Sequence, residues 1–193
     1  MTECKHIFLT GEIQVGKSTI IRKFVEAHPG LRVGGFRTVW QENRLELRNS
    51  LHIVPATGSY LTADYNRIGL REGVFPDRTA TDYPEVFDTV GVELLKKTGG
   101  SDLILMDEIG LGENDADDFI DAVLDTLDGD VPVLGVVQPK TGILTDAVRD
   151  HPKVRLILVT KENREYVLRN LLEGADIVEK KHTISKNIRN AAY

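Results

Sequence analysis

The chain has 193 residues, of which 41% are hydrophobic and 28% are charged, a composition typical of one folded globular domain. No apolar run approaches the roughly 20 residues of a membrane-spanning helix, so we expect no membrane anchor. A net charge of −6, from 24 basic and 30 acidic side chains, opposes general attraction to nucleic acid. We therefore predict a single domain over residues 1–193 that binds a small molecule, with any protein partner unknown.

Cysteine and histidine usage argues against disulfide or zinc chemistry. The single cysteine, Cys4, has no internal disulfide partner, and the first residues carry no signal-peptide pattern. Both features favour a cytoplasmic location. The histidines are scattered without metal-ligand spacing, so we expect surface or structural roles for them and predict no zinc site. They are His6, His28, His52, His151 and His182.

The first motif lies between an apolar run at residues 7–9 and a helical pattern. Glycine, four residues, glycine, lysine and a hydroxyl residue match a phosphate-binding loop. In such a loop, backbone N–H groups and the following helix N-terminus converge on a polyphosphate. We expect Lys17 to reach the outer phosphates and Ser18 to bind Mg²⁺. The predicted binding residues are Gly11, Glu12, Ile13, Gln14, Val15, Gly16, Lys17, Ser18 and Thr19.

The first half of the chain then alternates between helical and strand patterns. A helix is predicted from Lys17 to about Ala27, and a strand follows over residues 31–40, where Gly34 and Gly35 permit a bend or a close backbone approach. Residues 41–76 contain short β-type segments that predict an antiparallel extension of the sheet, including strands at 45–47 and 51–54. The ambiguous stretch 57–81 is interpreted as a candidate flap over the ligand.

The second half predicts more strands and helices in alternation. Helices are expected at 83–97 and 162–172, a helical turn at 145–149, buried strands at 102–110, 131–137 and 154–159, an edge strand at 175–178 and a solvated tail at 180–189. A further helix begins near Asn114 or Asp115, one of which is expected to cap it. Its acidic first turn is interpreted as a solvated helix start rather than a metal cluster.

This alternation predicts an α/β fold, with a mainly parallel sheet covered by helices on both faces and ligands at the carboxyl ends of the strands. The apolar strand at 102–110 ends in Asp107 and Glu108. Asp107 is the predicted second Mg²⁺ ligand, and Glu108 is the predicted base that activates water. Gln138, at the end of the next strand, either contacts the γ-phosphate or simply leaves the sheet. Asn163 and Arg164 are candidate nucleotide contacts.

These motifs, in order, resemble one family of enzymes. They are Gly11 to Thr19, Gly34 to Thr38, Asp107 to Gly110 with Glu113 following, and Thr160 to Arg164. The pattern is similar to that of the nucleoside triphosphatases that include the cancer-related nucleoside triphosphatase and its thermophilic prokaryotic relatives. The resemblance runs along nearly the whole chain.

The resemblance implies a RecA-like P-loop NTPase fold and slow, Mg²⁺-dependent hydrolysis of several nucleoside triphosphates, including ATP or GTP. It makes Lys17 the phosphate clamp, Ser18 and Asp107 the metal site, and Glu108 the base. The chain departs from the family pattern twice, with Gln14 in place of glycine and Leu111-Gly112 in place of Lys-Met. Gln14 is expected to crowd the loop or change its path, because glycine tolerates backbone dihedrals that glutamine does not.

Two other functions stay open on the residues alone. A nucleotide or small-metabolite kinase uses the same loop, and Asp77-Arg78 is a candidate site for a second phosphate. A nucleotide-binding switch or adaptor with little turnover is favoured by Gln14. Candidates for an arginine finger are Arg37, Arg78 and Arg164.

Overall fold

A computed structural model of the chain describes residues 4–43, 47–73 and 76–174. Its centre is a mixed sheet of eight strands with the order β5-β4-β3-β2-β6-β7-β1-β8. In chain order the strands are β1 (His6–Thr10), β2 (Val33–Asn43), β3 (Arg48–Pro55), β4 (Arg67–Glu72), β5 (Thr79–Asp82), β6 (Leu103–Ile109), β7 (Val133–Val137) and β8 (Val154–Leu158).

Helices cover this sheet. They are α1 (Lys17–Ala27), α2 (Pro84–Val86), α3 (Val92–Lys96), α4 (Asp117–Asp128), α5 (Ile143–Asp150) and α6 (Arg164–Glu173). A π-helical turn, Phe87–Gly91, joins α2 to α3, so these three pieces form the helix predicted at 83–97. The helices predicted at 17–27, 145–149 and 162–172 are confirmed as α1, α5 and α6.

The parallel part of the sheet consists of β2, β6, β7, β1 and β8. Successive residues of a strand point to opposite faces, so Phe8 and Leu9 of β1 enter different hydrophobic clusters, one on each face of the sheet. β7 lies between β1, which leads into the phosphate loop, and β6, which carries Asp107. The predicted α/β fold of the P-loop type is confirmed.

The antiparallel part of the sheet is the predicted extension, formed by β3, β4 and β5 paired in succession beyond β2. β2 itself continues to Asn43, and the strand predicted at 45–47 falls mostly on residues outside the described ranges. Within the stretch 57–81, predicted to be a flap, β4 and most of β5 belong to the sheet instead, and only residues 57–66 precede these strands. Every residue of β5 is exposed, so this edge strand lacks the apolar alternation by which a strand is recognised.

The start of α4 differs from the prediction. Its N-cap is Ala116, whereas Asn114 or Asp115 was expected. The capping carboxylate comes from the neighbouring helical layer, where Asp88 accepts a hydrogen bond of 2.9 Å from the N–H of Phe119. The side chain of Asn114 instead accepts a hydrogen bond of 3.0 Å from the N–H of Ile143. A distant residue therefore replaces the local cap.

His6 is a structural histidine, as expected. It is fully buried, its Nε2 donates to the carbonyl of Leu127 at 2.8 Å, and its Nδ1 accepts from the N–H of Val133 at 3.1 Å. Burial lowers the pKa of His6 to about 4. The edge strand predicted at 175–178 and the tail at 180–189 lie outside the described residues. Within the described ranges, no helix has both the length and the apolar character required to cross a membrane.

Candidate active site

The phosphate loop occupies residues 11–16, between the end of β1 and the start of α1. Gly11 has φ 132° and Gly16 has φ 109°, values in the region that favours glycine. A Cβ on Gly11 would lie 2.3 Å from the carbonyl oxygen of Val159, so only glycine fits where β1 passes the end of β8. Gly16 is the N-cap of α1, which directs the helix N-terminus toward the loop.

Gln14 adopts a left-handed backbone conformation with φ 64°, at the position where the family pattern has glycine. Its side chain is exposed, so the residue does not crowd the core of the fold. The loop therefore accommodates glutamine by backbone strain, which costs about 1 kcal/mol for a residue with a Cβ. The departure from the family pattern at Gln14 therefore acts through strain in the loop backbone.

Lys17 is the first residue of α1, and its side chain is buried. Its Nζ donates hydrogen bonds to the carbonyl oxygens of Gly11 at 2.8 Å and Glu12 at 2.7 Å. The ammonium group thus lies within the curve of the loop. A positive charge there complements the phosphate groups for which this kind of loop is built.

Ser18 and Asp107 meet across 89 residues of sequence. The Ser18 hydroxyl donates a hydrogen bond of 3.0 Å to Oδ1 of Asp107, so the two predicted Mg²⁺ ligands are adjacent. Burial raises the pKa of Asp107 to about 6; the Ser18 hydrogen bond opposes this, the charge of Glu108 raises it further, and Arg37 and Lys17 lower it. A hydroxyl and a carboxylate oxygen are hard donors of the kind that Mg²⁺ prefers.

The end of β6 is irregular where the two acidic residues lie. Its pairing with β7 slips between Met106 and Ile109, and the Asp107–Glu108 peptide bond is cis. A register shift like the one between Met106 and Ile109 redirects side chains next to active sites. Glu108 is only partly buried, which leaves its carboxylate accessible to water.

Glu113 is a buried carboxylate behind this strand end. It is 3% exposed, and its Oε2 accepts a hydrogen bond of 3.1 Å from the N–H of Gly110. Burial raises the pKa of Glu113 to about 7, and the charges of Glu108 and Asp82 also raise it. Sequence reasoning placed Glu113 in the family pattern, three residues after Gly110, but assigned it no role.

Gln138 lies against the end of β6. Its backbone N–H donates to the carbonyl of Ile109 at 2.9 Å, and a Cβ on Gly110 would lie 2.8 Å from its Nε2. The side chain is therefore packed over the chain that follows Asp107 and Glu108. This position is compatible with either predicted role, and a contact with the γ-phosphate stays a prediction.

A recess of about 220 Å³ opens between the starts of α1 and α6. Its lining consists of Gly16, Thr19, Ile20, Lys23, Arg164, Glu165 and Leu168. Arg164 lies over the end of the phosphate loop, since its Cδ is 3.6 Å from the position of a Cβ on Gly16. The structure thus brings Arg164 to the loop, and it identifies Lys23 and Glu165 as neighbours that sequence reasoning missed.

The Asn163 side chain organises the turn before α6. Its Oδ1 accepts from the N–H of Thr160 at 2.8 Å, and its Nδ2 donates to the carbonyl of Leu158 at 2.9 Å. The Thr160 hydroxyl in turn accepts a hydrogen bond of 3.3 Å from the N–H of Asn163. Of the two residues predicted to contact nucleotide, Arg164 lines the recess, whereas Asn163 shapes the turn that positions it.

The arginine-finger candidates are separated by the fold. Arg37 is in register with Asp107 on the adjacent parallel strand. Arg78 lies in the turn before β5, at the end of the extension far from Asp107. At that end Glu72 of β4 pairs with Arg48 of β3, and Arg48 pairs with Asn43 of β2. Six residues of β2 separate the levels of Arg37 and Asn43, about 20 Å at strand rise. Asp77 and Arg78 are therefore not brought to the phosphate loop.

Comparison with known proteins identifies close structural and sequence relatives. A family model described as NTPase matches residues 6–172. The cancer-related nucleoside-triphosphatase homolog of Bos taurus is 31% identical over 182 residues, covering 85% of this chain and 93% of the relative. Nucleoside-triphosphatase THEP1 of Methanosarcina barkeri is 27% identical over 165 residues, covering 82% and 90%.

Two solved structures share the fold along most of both chains. The solution structure of a human cancer-related nucleoside triphosphatase has a TM-score of 0.66 and 27% identity, covering 91% of this chain and 100% of that one. The crystal structure of THEP1 from Aquifex aeolicus has a TM-score of 0.65 and 25% identity, covering 91% and 99%. The sequence, the fold and the contact between the phosphate loop and the acidic end of β6 all indicate the same family. The chain belongs to the nucleoside-triphosphatase family.

Proposed function

We propose that this chain hydrolyses nucleoside triphosphates to nucleoside diphosphate and phosphate, with Mg²⁺, slowly and on several bases. The observation that carries the proposal is the 3.0 Å hydrogen bond from Ser18 to Asp107, because it joins the phosphate loop to the acidic end of β6. Family membership supports triphosphate hydrolysis in general. The metal, the rate and the breadth of base are the finer parts of the proposal.

Ser18 and Asp107 are the residues that would hold Mg²⁺. When bound, the metal neutralises charge on the β- and γ-phosphates. The loop's backbone N–H groups and the Lys17 ammonium bind phosphate oxygens. Lys17 already lies in the curve of the loop, where its Nζ donates to two loop carbonyls. Binding therefore requires an exchange of acceptors rather than a large movement of this side chain.

Glu108 takes the proton of the attacking water in the proposed reaction. The water oxygen forms a bond to the γ-phosphorus, the bond from that phosphorus to the bridging oxygen breaks, and the diphosphate leaves. Partial exposure of Glu108 supports this role, because a general base must reach both water and substrate. The left-handed Gln14 is consistent with slow turnover, since it places strain in the loop that holds the phosphates.

The recess beside Gly16 is the proposed place of the nucleobase. A guanidinium plane stacks on any base, so Arg164 favours broad use of ATP, GTP and other triphosphates. A net charge of −6 supports the absence of a nucleic-acid partner, and a cytoplasmic location stays a prediction from cysteine usage.

Phosphate release should be measured over ATP, GTP, CTP and UTP, with and without Mg²⁺. We expect Glu108→Gln to lower turnover by about 100-fold with nucleotide still bound, and Lys17→Ala to abolish binding. Glu93→Gln, an exposed site on α3 that pairs with Lys97, is the matched control. Hydrolysis by Glu108→Gln at the parental rate would show that Glu108 is not the base.

The switch function keeps one specific observation in its favour, which is the strained Gln14. Calorimetry that finds tight nucleotide binding while phosphate release stays at background would select it. The kinase function keeps only the shared phosphate loop in its favour, because Asp77 and Arg78, the candidate site for a second phosphate, are not brought to that loop. Diphosphate production that requires an added monophosphate acceptor would restore it.

A further inference from the structure

Arg37 is an arginine beside the candidate active site that forms no salt bridge with a carboxylate of the described residues. It is in register with Asp107 on the adjacent strand, and cross-strand neighbours project to the same side of a sheet. Its positive charge acts on Asp107, whose pKa is raised by burial and lowered in part by Arg37. In the described part of the chain Arg37 makes no ion pair.

The guanidinium of Arg37 is held in a fixed orientation. Its carbon lies 4.6 Å from the centroid of the Tyr60 ring, and its Nε donates to the carbonyl of Pro55 at 3.4 Å. These contacts use one face and the inner nitrogen of the group. Among the described residues, its two outer nitrogens donate no hydrogen bond, so the fork that binds oxyanions in two places stays available.

We propose, resting on the proposed function, that Arg37 is a catalytic residue that supplies an arginine finger from within the chain. As the water oxygen bonds to the γ-phosphorus and the bond to the bridging oxygen breaks, charge spreads over the γ-oxygens and the leaving diphosphate. The outer nitrogens of Arg37 donate to these oxygens, while Glu108 takes the proton. Tyr60 is the positioning residue that holds the guanidinium plane.

Arg164, the other arginine near the loop, is placed for a different contact. It lines the recess beside α1 together with Lys23 and Leu168, and its Nε lies 3.9 Å from the carboxylate of Glu165. Arg37 instead lies level with Asp107, next to the predicted metal ligands. The two arginines therefore contact different parts of the substrate: Arg164 contacts the base, and Arg37 contacts the γ-phosphate.

Arg37→Ala, Arg37→Lys and the matched control Arg32→Ala test the proposal. Arg32 lies just before the same strand, is exposed and pairs with half-buried Asp102. With saturating ATP and Mg²⁺ we expect kcat to fall about 100-fold in Arg37→Ala, ATP affinity to change little, and Arg32→Ala to match the parent. Arg37→Lys should recover only part of the rate, because lysine lacks the fork.

Added guanidinium ion gives a readout that a purely structural role would not move. It should raise the rate of Arg37→Ala and leave the rates of the parent and of Arg32→Ala unchanged. ADP with aluminium fluoride, which mimics the transition state, should lose more affinity in Arg37→Ala than ATP does. Tyr60→Ala should lower kcat about 10-fold, and Tyr60→Phe should recover most of that loss because it keeps the ring.

The outcomes separate the two proposals. If the parent releases no phosphate from any triphosphate, both the proposed function and the role of Arg37 are wrong. If the parent hydrolyses ATP and Arg37→Ala does so equally fast, only the role of Arg37 is wrong. A rate loss in Arg37→Ala that comes with a lower melting temperature and without rescue by guanidinium would make Arg37 a structural residue, and would also overturn the inference.

Discussion

The strand pair β2–β6 has an arginine beside an aspartate at each end. The contacts of these charged side chains differ between the two ends. At the amino end, Arg32 donates to Asp102 through Nε at 3.0 Å and Nη2 at 2.8 Å, and Arg32 is exposed. At the carboxyl end, Arg37 and Asp107 are in register, but each is held by other groups.

This difference separates a structural ion pair from a candidate site. The amino end neutralises its charges internally, and His6, at the start of β1, has both ring nitrogens hydrogen bonded. At the carboxyl end, burial raises the pKa of Asp107 although the charge of Arg37 lowers it in part, and the described contacts of Arg37 are with Pro55 and Tyr60 rather than with a carboxylate. Charges kept apart in this way cost stability and leave groups free to bind a ligand.

The largest expected effect is on activity when the two aspartates are changed in the same way. Asp107→Asn should lower Mg²⁺-dependent phosphate release about 100-fold or more, because the amide lacks the charge that would hold the metal at the proposed site. Asp102→Asn, at the other end of β6, should leave the rate unchanged. Steady-state phosphate release measures both, and equal losses in the two variants would remove the distinction between the ends.

Glu113→Gln tests whether the carboxyl end stores a second unfavourable carboxylate. The folded pKa of Glu113, about 7, lies above the ordinary glutamate pKa of 4.5, so the folded state retains the proton and the parent loses stability as pH rises from 4.5 to 7. Linkage gives at most about 3 kcal/mol. The glutamine stays neutral and keeps an acceptor for Gly110.

Urea unfolding of parent and Glu113→Gln at pH 5 and pH 8 measures this effect. The variant should gain stability relative to the parent at pH 8, with most of that gain absent at pH 5. A difference of the same size at both pH values would mean that ionisation of Glu113 does not contribute.

Gln14→Gly should relieve strain in the phosphate loop. Glycine adopts φ 64° without the Cβ penalty, so we expect a gain of about 1 kcal/mol in the free energy of unfolding. Gln14→Ala is the matched control, because it removes the amide but keeps the Cβ and should gain nothing. If the alanine variant is as stable as the glycine variant, the left-handed backbone is not the source of strain.

The smallest effect is expected at the amino end. A double-mutant cycle on Arg32→Ala and Asp102→Ala should give a coupling near the detection limit, because Arg32 is exposed to solvent and Asp102 is only half-buried. The coupling should vanish in 1 M salt, where screening acts over about 3 Å. A large coupling that resists salt would make this pair a main support of the sheet.

Local pattern was sufficient for much of the fold. The spacing in Gly11 to Thr19 and the apolar run that ends at Asp107 predicted β1, α1 and β6, because both patterns depend on neighbours along the chain. The same signals failed at β5, where every side chain is exposed, and at the start of α4, which Asp88 caps from a distance. The family prediction is confirmed, whereas the roles of the site residues stay predictions.

The sequence by itself determined the phosphate loop, the acidic strand end and the alternation that builds a P-loop α/β sheet. Only the tertiary structure decided that Ser18 meets Asp107, that Arg37 lies level with Asp107 over Tyr60, and that Glu113 is buried. The physical reason is that local spacing fixes an element and its buried face, while strand order and register, which bring distant residues together, come from long-range pairing and packing.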